Sequence, residues 1–563
     1  MMTPDAESMM QRFKLQPDLF ADKLSRLKLL GCNIAPDHAS LTTVNVWRNH
    51  AFEPIISLVK PFFSYAGMAM DFRLSDYDDS LMFSARKPAD IELLWLDSSR
   101  YLEQTSFPEW LAWLQDRLQT LRADSIAPII IATWIPAGID SREITKLVDS
   151  LSEVYFADIG RLCADADATL LDRRTEKVAG TALSSSAQLL IARTLACHWF
   201  AAAILPPIKA IALDLDNTLH SGVLGEEGFD RVLLTDGHLK LQSFIKSLHD
   251  RGVFLALVSR NEAADVRELF TKRSDYPLGL DDFSVTEISW GDKASAIQRI
   301  AESLLIGTDS ILFVDDNPGE LAAVKSQIPD IHSIHASQTA NQTKRAIEYY
   351  PGLWRWKIEI DDSKRIADLR ASNQRQLQLA TSPDPRDYFR SLEVKLIIRV
   401  NKPEHMGRLA DLCGKTNQFN LALRRFSQTE LMKKKENKNG CVVGVQLKDR
   451  LSDSGIVAVI VAERAGLQLK IEEICISCRA LGRQLEDIMI LETIRSMPVF
   501  AEVTEVLFQM SRGPRNGPAI EWLSGTVRAQ NKQDPLQPGW HKVPADIISG
   551  FKPNRDVSIT REL

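Results

Sequence analysis

Two aspartates, Asp214 and Asp216, follow the apolar run Ala210-Ile-Ala-Leu213 and precede Asn217 and Thr218. Such a run reads as a strand buried on both faces. Residues two apart on a strand share a face, so the two carboxylates point the same way. Burying both is costly unless a cation or hydrogen bonds hold them. The chemistry open to such a pair is phosphoryl transfer. One Asp attacks phosphorus and carries a covalent aspartyl phosphate, and the other protonates the leaving oxygen and then activates water. A strand ending in a solvated acidic turn has the same local spelling, so the rest of the chain decides between the two.

Matching parts occur downstream, in order. Val253-Phe-Leu-Ala-Leu-Val258 is a second buried strand and ends in Ser259-Arg-Asn261. Lys293 opens a predicted helix over 294–304, and Ile311-Leu-Phe-Val314 runs into Asp315-Asp316. A Ser hydroxyl and a Lys ammonium can hold phosphoryl oxygens as charge shifts there. Carboxylates supply the oxygen ligands that a hard cation such as Mg²⁺ requires. In a doubly wound sheet these strand ends converge on one crevice.

The elements that must position these residues fit a multidomain α/β chain. Its 563 residues suffice for about three to four domains. The net charge of -6 argues against a general nucleic-acid binder. Seven cysteines form no disulfide framework and suit a reducing cytoplasm. The start, Met1-Met-Thr-Pro-Asp-Ala-Glu, lacks the basic lead and apolar core of a signal peptide. The apolar stretch 189–208 is interrupted by Arg193, His198 and Pro206-Pro207, and reads as a helix leading into the 210–213 strand, not a membrane span.

Ahead of the paired aspartates, residues 1–25 read as an amphipathic lead-in helix. Leu27–Asn33, Ile91–Asp97 and Ala127–Trp134 read as strands, with a helix over Trp110–Arg122. This alternation predicts a parallel α/β domain over 1–205, with Asn33 and Asp97 at strand ends where ligand loops lie. The second domain spans 206–350, with a helical connection over 351–390 broken at Pro383-Asp-Pro385. A third unit, 391–530, has strands at Leu392–Arg399, Cys441–Asp449, Ile456–Val461 and Leu469–Ile476, helices over 404–416 and 484–495, and a polar tail over 531–563.

The order Asp-x-Asp-x-Thr, Ser, Lys, Asp-Asp resembles the haloacid dehalogenase-like (HAD) phosphatase superfamily. That resemblance makes Asp214 the nucleophile and Asp216 the acid/base. It places Thr218, Ser259, Asn261 and Lys293 around the phosphate, and Asp214, Asp216, Asp315 and Asp316 around Mg²⁺. Leu213-Asp-Leu-Asp-Asn-Thr-Leu219, Gly222-Val-Leu-Gly-Glu-Glu-Gly228 and Val314-Asp-Asp-Asn-Pro-Gly-Glu320 are similar to the FkbH-like branch. The chain departs at His220-Ser221, where that family usually has Trp-Gly, and at Arg260, where Lys is usual. The short gap after Thr218 leaves no room for a large cap.

The third unit resembles the acyl-CoA-dependent N-acetyltransferase (GNAT) fold, in which backbone amides at a helix start bind pyrophosphate. Lys415–Asn420, Ser477–Arg483 and Pro514–Asn516 are similar to FkbH-like C-terminal motifs. They mark Asn420, Arg479, Arg483 and Asn516 as a candidate acyltransferase-like site. Cys478, beside Arg479 and Arg483 at an expected helix start, is a candidate acyl acceptor, with a packed core cysteine as the alternative. The loop Lys433-Lys-Lys435 with Lys438, and Arg424-Arg425, could steer an acidic carrier. The first domain resembles SGNH-type hydrolases but lacks a Gly-Asp-Ser nucleophile and a late Asp-x-x-His, so no hydrolysis is expected there.

The expected architecture is therefore an SGNH-like parallel α/β domain, a HAD-like Rossmannoid domain and a GNAT-like α+β domain. The resemblance implies a cytoplasmic, Mg²⁺-dependent acyl loader in polyketide-type secondary metabolism. It would dephosphorylate 1,3-bisphosphoglycerate and transfer the glyceryl group to the phosphopantetheine thiol of an acyl carrier protein. Two alternatives stand beside it: a phosphatase for another phosphorylated acid or sugar, and a non-catalytic assembly factor that binds a carrier protein.

Overall fold

The computed structural model describes the chain except residues 1–3, 33–40, 175, 177–179, 338, 358–359, 382–389, 417, 482, 529–535, 554–556 and 563. Asn33 and the Pro383–Pro385 breaker lie outside the described residues. The chain forms two compact units. One runs from Met1 to Lys357 without two short stretches, Asp250–Gly252 and Glu302–Gly307; the other holds those stretches and Ile358–Leu563.

The first unit contains two five-stranded sheets. The first comprises β1 (Leu41–Arg48), β2 (Ala69–Tyr77), β3 (Ile91–Trp95), β4 (Ile129–Thr133) and β5 (Val154–Asp158). Their order is β2-β1-β3-β4-β5, and every pairing is parallel. The expected strand at Leu27–Asn33 is instead a helix, Arg26–Gly31, whose first turn is capped by the Ser25 side chain. The strand that the sheet needs comes later, as β1.

The second sheet comprises β6 (Ala210–Leu213), β7 (Phe254–Ser259), β8 (Val285–Ile288), β9 (Ile311–Asp315) and β10 (His332–His335). The order β10-β9-β6-β7-β8 is again wholly parallel. The chain leaves the central β6 to one side for β7 and β8, then crosses to the other for β9 and β10. The C-terminal ends of β6, β7 and β9 therefore meet at the point where the winding reverses, the usual ligand crevice of such sheets.

One apolar core runs through both sheets, from Phe52, Phe62 and Trp95 to Leu213, Leu255 and Val314. The segment Ser185–Ile204 lies within it. This segment is long and apolar enough to cross a bilayer, but most of it is buried in protein. Its centre, Leu195–Phe200, widens into a π-helix. Arg193 lies 4.0 Å from the Tyr349 ring centre, and His198 stacks on Tyr349 at 4.5 Å and on Trp354 at 5.3 Å. Burial pushes the His198 pKa down to about 4, so the ring is neutral and stacks as an aromatic. The polar residues that interrupt the apolar run are thus packing contacts within the unit.

The second unit is built on an eight-stranded sheet. Its strands are β11 (Lys395–Val400), β12 (Phe419–Asn420), β13 (Gly440–Lys448), β14 (Asp453–Ala465), β15 (Gln468–Ile476), β16 (Glu505–Met510), β17 (Gly539–Pro544) and β18 (Ser558–Glu562). The β13–β14 hairpin and the β14–β15 pair are antiparallel, as the sequence suggests. The C-terminal segment is more ordered than a polar tail implies. β17 pairs with β16, and β18 pairs with β11. Edge strands need only one apolar face, which is why their composition looks like tail.

Candidate functional site

Asp214 follows β6, and its backbone N–H donates to Val314 O at 2.9 Å, which locks the turn to β9. Lys293, the first residue of the helix Lys293–Leu304, reaches into the crevice. Its Nζ lies 2.7 Å from Asp214 Oδ1 and 2.6 Å from Asp315 Oδ2. All three side chains are buried. Asp315 ends β9, and its other oxygen accepts the Asn317 N–H at 2.8 Å. Asp316 is set by its backbone, whose carbonyl lies 2.9 Å from His335 Nε2.

One ammonium cannot neutralise two buried carboxylates. Burial, with the charges of Asp315 and Asp216, drives the Asp214 carboxyl up against the opposing pull of Lys293, so it tends to hold a proton. Burial also raises Asp316, and the Asp315 charge adds to it. Lys293 itself loses from burial, but its two carboxylate partners outweigh that and hold its ammonium above the ordinary range. The site is short of positive charge. The oxygens of Asp214, Asp315 and Asp316 lie within 4.8 Å of one another, a donor set of hard oxygens that fits Mg²⁺. The buried hydroxyl of Thr218 has no hydrogen-bond partner, a second sign that the crevice is shaped for something else to complete it.

Asp216 is held differently. Its Oδ1 lies 3.2 Å from His220 Nε2 and accepts the Leu224 N–H at 3.0 Å, while Oδ2 accepts from Asn261 Nδ2 at 2.8 Å. Burial works to raise this carboxyl, but the His220, Leu224 and Asn261 hydrogen bonds prevail and hold it below the usual carboxylate range. Two aspartates two residues apart are thus pushed in opposite directions by their surroundings. A bound cation would reverse the direction at Asp214, because it favours the ionised carboxylate. Asn261 also donates to Ser259 Oγ at 2.9 Å, which ties the end of β7 to Asp216.

The loop between Asp216 and the next long helix is compact. Asn217 takes a left-handed conformation, φ 53°, and its Oδ1 accepts the Gly222 N–H at 3.0 Å. Gly222 has φ +104°, and a Cβ there would come 2.7 Å from Glu227 Oε1. An isolated bridge between Ser221 and Leu233 closes the loop. Arg260, one of the two departures from the family pattern, pairs with Glu320 at 2.7 Å.

The structure therefore brings together Asp214, Asp216, Thr218, Ser259, Asn261, Lys293, Asp315 and Asp316. Sequence reasoning missed His335 and Tyr276 behind them. Their contacts join residues 19 and 56 positions apart, and neither carries a motif. In the first sheet, the Asp97 N–H donates to Asn49 Oδ1 at 2.7 Å, its carbonyl accepts from Asn49 Nδ2 at 3.2 Å, and its carboxylate accepts the Ser99 N–H at 3.0 Å. It serves as a turn cap.

In the second unit the acyltransferase-like residues take framework positions. β15 and β16 pair only as far as Ile471 and Phe508. Beyond that the chain fills the gap itself: the Leu421 N–H donates to Ile474 O at 3.1 Å, and Leu421 O accepts the Ser511 N–H at 3.0 Å. Asn516 Nδ2 donates to Asn420 O at 3.0 Å and to Ser511 O at 2.8 Å, and Asn420 Oδ1 accepts the Leu423 N–H at 2.7 Å. Asn420 and Asn516 thus build the inserted segment. Arg483 donates to Asp449 at 3.1 Å and to Asp368 at 3.2 Å, beside Arg375, and is likewise structural.

Cys478 lies in the turn after β15, and the following helix begins only at Glu486 with two acids of its own, Glu486 and Asp487. The expected helix-start environment for the thiol is absent. Burial pushes the Arg479 pKa down to about 10, with Arg408 and Arg365 acting in the same direction and Asp368 opposing them. Lys433-Lys-Lys435 belong to the helix Gln428–Glu436 rather than a loop, because Ser427 and Glu430 form a capping box. Lys434 pairs with Glu472 at 2.9 Å, and Arg424 pairs with the same residue at 2.9 Å, so part of the basic patch is internally neutralised.

No protein-family model matches the chain, and no curated protein matches it. Among solved structures it is similar to the N-terminal part of the protein BF1531 from Bacteroides fragilis, containing a phosphatase domain complexed with Mg. The identity is 19% and the TM-score 0.46, covering 61% of this chain and 99% of that one. A second likeness is to a GCN5-related glucosamine N-acetyltransferase region in a fungal multi-domain GH3 β-N-acetylglucosaminidase. It has 9% identity and a TM-score of 0.14, over 94% of this chain and 68% of that one. Likenesses this distant do not carry an assignment, which rests on the geometry of the crevice.

Proposed function

We propose that the first unit is a Mg²⁺-dependent phosphatase of the HAD-like type and that the whole chain works as an FkbH-like acyl loader. The observation that carries the phosphoryl reading is Lys293 bridging Asp214 and Asp315, with Asp216 anchored separately beside them. Asp214, Asp315 and Asp316 would hold the ion, which when bound offsets the negative charge of the phosphoryl group.

The residues then divide the work. With a cation held beside it Asp214 would be ionised; its oxygen attacks phosphorus, the bond from phosphorus to the leaving oxygen breaks, and Asp216 in its protonated form gives that oxygen its proton. Asp216, now a carboxylate, takes a proton from water. The water oxygen attacks phosphorus, the bond from phosphorus to Asp214 breaks, and inorganic phosphate leaves. Lys293, Ser259 and the Thr218 hydroxyl bind the phosphoryl oxygens.

For the acyl-loading part, 1,3-bisphosphoglycerate offers an alkyl phosphate for this crevice and an acyl phosphate whose carbonyl a carrier thiol can attack. Arg479 beside Cys478 would supply a cation for a phosphate-bearing arm in the second unit. Incubation with 1,3-bisphosphoglycerate, Mg²⁺ and a phosphopantetheinylated carrier, followed by intact mass, tests the reading. A glyceryl adduct on the carrier supports it. Phosphate release without an adduct leaves a phosphatase for another phosphorylated acid or sugar.

A further inference from the structure

His220 is fully buried, four residues after Asp216, at a position where the resembling family usually carries Trp. Its Nε2 lies 3.2 Å from Asp216 Oδ1, and its Nδ1 lies 3.0 Å from the Tyr276 hydroxyl. These contacts have one consistent direction for a neutral ring. The Tyr276 hydroxyl donates to Nδ1, which leaves the Nε2 hydrogen for the carboxylate. We infer that Tyr276 and His220 form a buried positioning pair that fixes the Asp216 carboxyl for proton transfer to the leaving group.

The surroundings make the pair rigid. Tyr276 is buried, with its ring 5.8 Å from Phe270 and 5.3 Å from the Arg273 guanidinium. Arg273 is itself tied to the chain, donating to Phe229 O at 2.9 Å and Val232 O at 3.0 Å. The 229–233 segment is the far side of the loop that Ser221 and Leu233 close. His220 therefore sits between the loop that carries Asp216 and the Arg273–Tyr276 corner. The imidazole supplies an N–H donor to Asp216 and an acceptor that the Tyr276 hydroxyl fills. That second bond fixes the ring rotation, so the Asp216 oxygen that faces away from His220 is left to Asn261 and the crevice.

This inference rests on the phosphoryl reading, and leaving-group dependence separates the two. A group that donates a proton matters most for a poor leaving group, and such catalysis is worth about 100- to 10,000-fold. Rates are compared with Mg²⁺ in excess on p-nitrophenyl phosphate, whose phenolate leaves readily, and on glycerol phosphate, whose alkoxide does not. His220→Phe is expected to lower kcat/KM, which reads transfer to Asp214 and not the later hydrolysis shared by both substrates, by about 30-fold or more on glycerol phosphate and by less than about 3-fold on p-nitrophenyl phosphate, below the full worth of the acid because Asn261 and Leu224 still hold Asp216. His220→Gln, which keeps an N–H donor, should recover most of the loss. Tyr276→Phe should reproduce the same pattern more weakly, and it tests the pair even if His220→Phe does not fold. Equal losses on both substrates, or no loss on either, overturn the inference and leave the phosphoryl reading standing. A wild-type protein inactive on both substrates overturns the phosphoryl reading and this inference with it.

Discussion

Lys293 Nζ lies 2.7 Å from Asp214 Oδ1, an ion pair formed between the start of a helix and the end of a strand 79 residues earlier. The same ammonium meets Asp315 at 2.6 Å. Folding therefore assembles two acids and one base at a sheet crevice with charge still uncompensated. Most of the expected behaviour follows from that imbalance.

Replacing Lys293 by Met leaves two buried carboxylates facing each other. Removing one partner of a buried pair costs about 3–5 kcal/mol. Metal-free Lys293→Met is expected to show a loss of that size in chemical denaturation, and Mg²⁺ should return part of it. A variant as stable as wild type without metal would show that the bridge carries no weight.

Metal-free stability should fall as pH rises. The Asp214 pKa is raised to about 8, chiefly by burial. A carboxyl with a folded pKa above its unfolded value, about 3.9, stabilises the fold most below the unfolded value. That contribution shrinks above it and is gone once the pH has passed through about 8. The melting temperature of metal-free protein is expected to drop from about pH 6 to about pH 9, and the drop should flatten in Asp214→Asn. Stabilisation by Mg²⁺ should grow over the same range, because the ion binds the deprotonated carboxylate. A pH-independent gain from Mg²⁺ would contradict this.

Asn261 donates to both Asp216 and Ser259, so Asn261→Ala loosens two site residues at once. A decrease in kcat of about 10-fold or more is expected, with little change in melting temperature. A steady-state comparison of kcat and KM on one phosphate ester checks it. An unchanged kcat would remove Asn261 from the site.

In the second unit, Asp449 binds Arg375 at 2.9 Å and Arg483 at 3.1 Å, and all three are largely buried. Asp449→Asn should destabilise this unit by about 3 kcal/mol, read by chemical denaturation. A neutral result would return Arg483 to the list of ligand-binding candidates.

The crevice was legible in the sequence because its residues stand at the ends of apolar strands. Ile211, Leu255 and Leu312 mark buried parallel strands, and the polar residues that follow them have few reasons to be there other than a ligand. β1 was not legible in the same way. Leu41-Thr-Thr-Val-Asn-Val-Trp-Arg48 mixes polar with apolar residues, although Asn45 finds partners in the buried Glu92 carboxylate and in Lys87 O. The apolar Leu27–Leu30 run drew attention instead, and Ser25 capping decides it as a helix. In the second unit the motif residues were found but not their use. Whether a buried Asn holds a ligand or a neighbouring loop depends on partners 96 residues away, as with Asn516 and Asn420. Spacing along the chain carries no record of that.

The most direct measurement is covalent. Protein incubated with Mg²⁺ and a phosphate ester labelled in its phosphoryl group is quenched in acid, digested and mapped. Label is expected on the peptide containing Asp214, with none in Asp214→Asn and no phosphate release from that variant. Release of phosphate by Asp214→Asn at the wild-type rate, with no labelled peptide in either protein, would contradict the central claim.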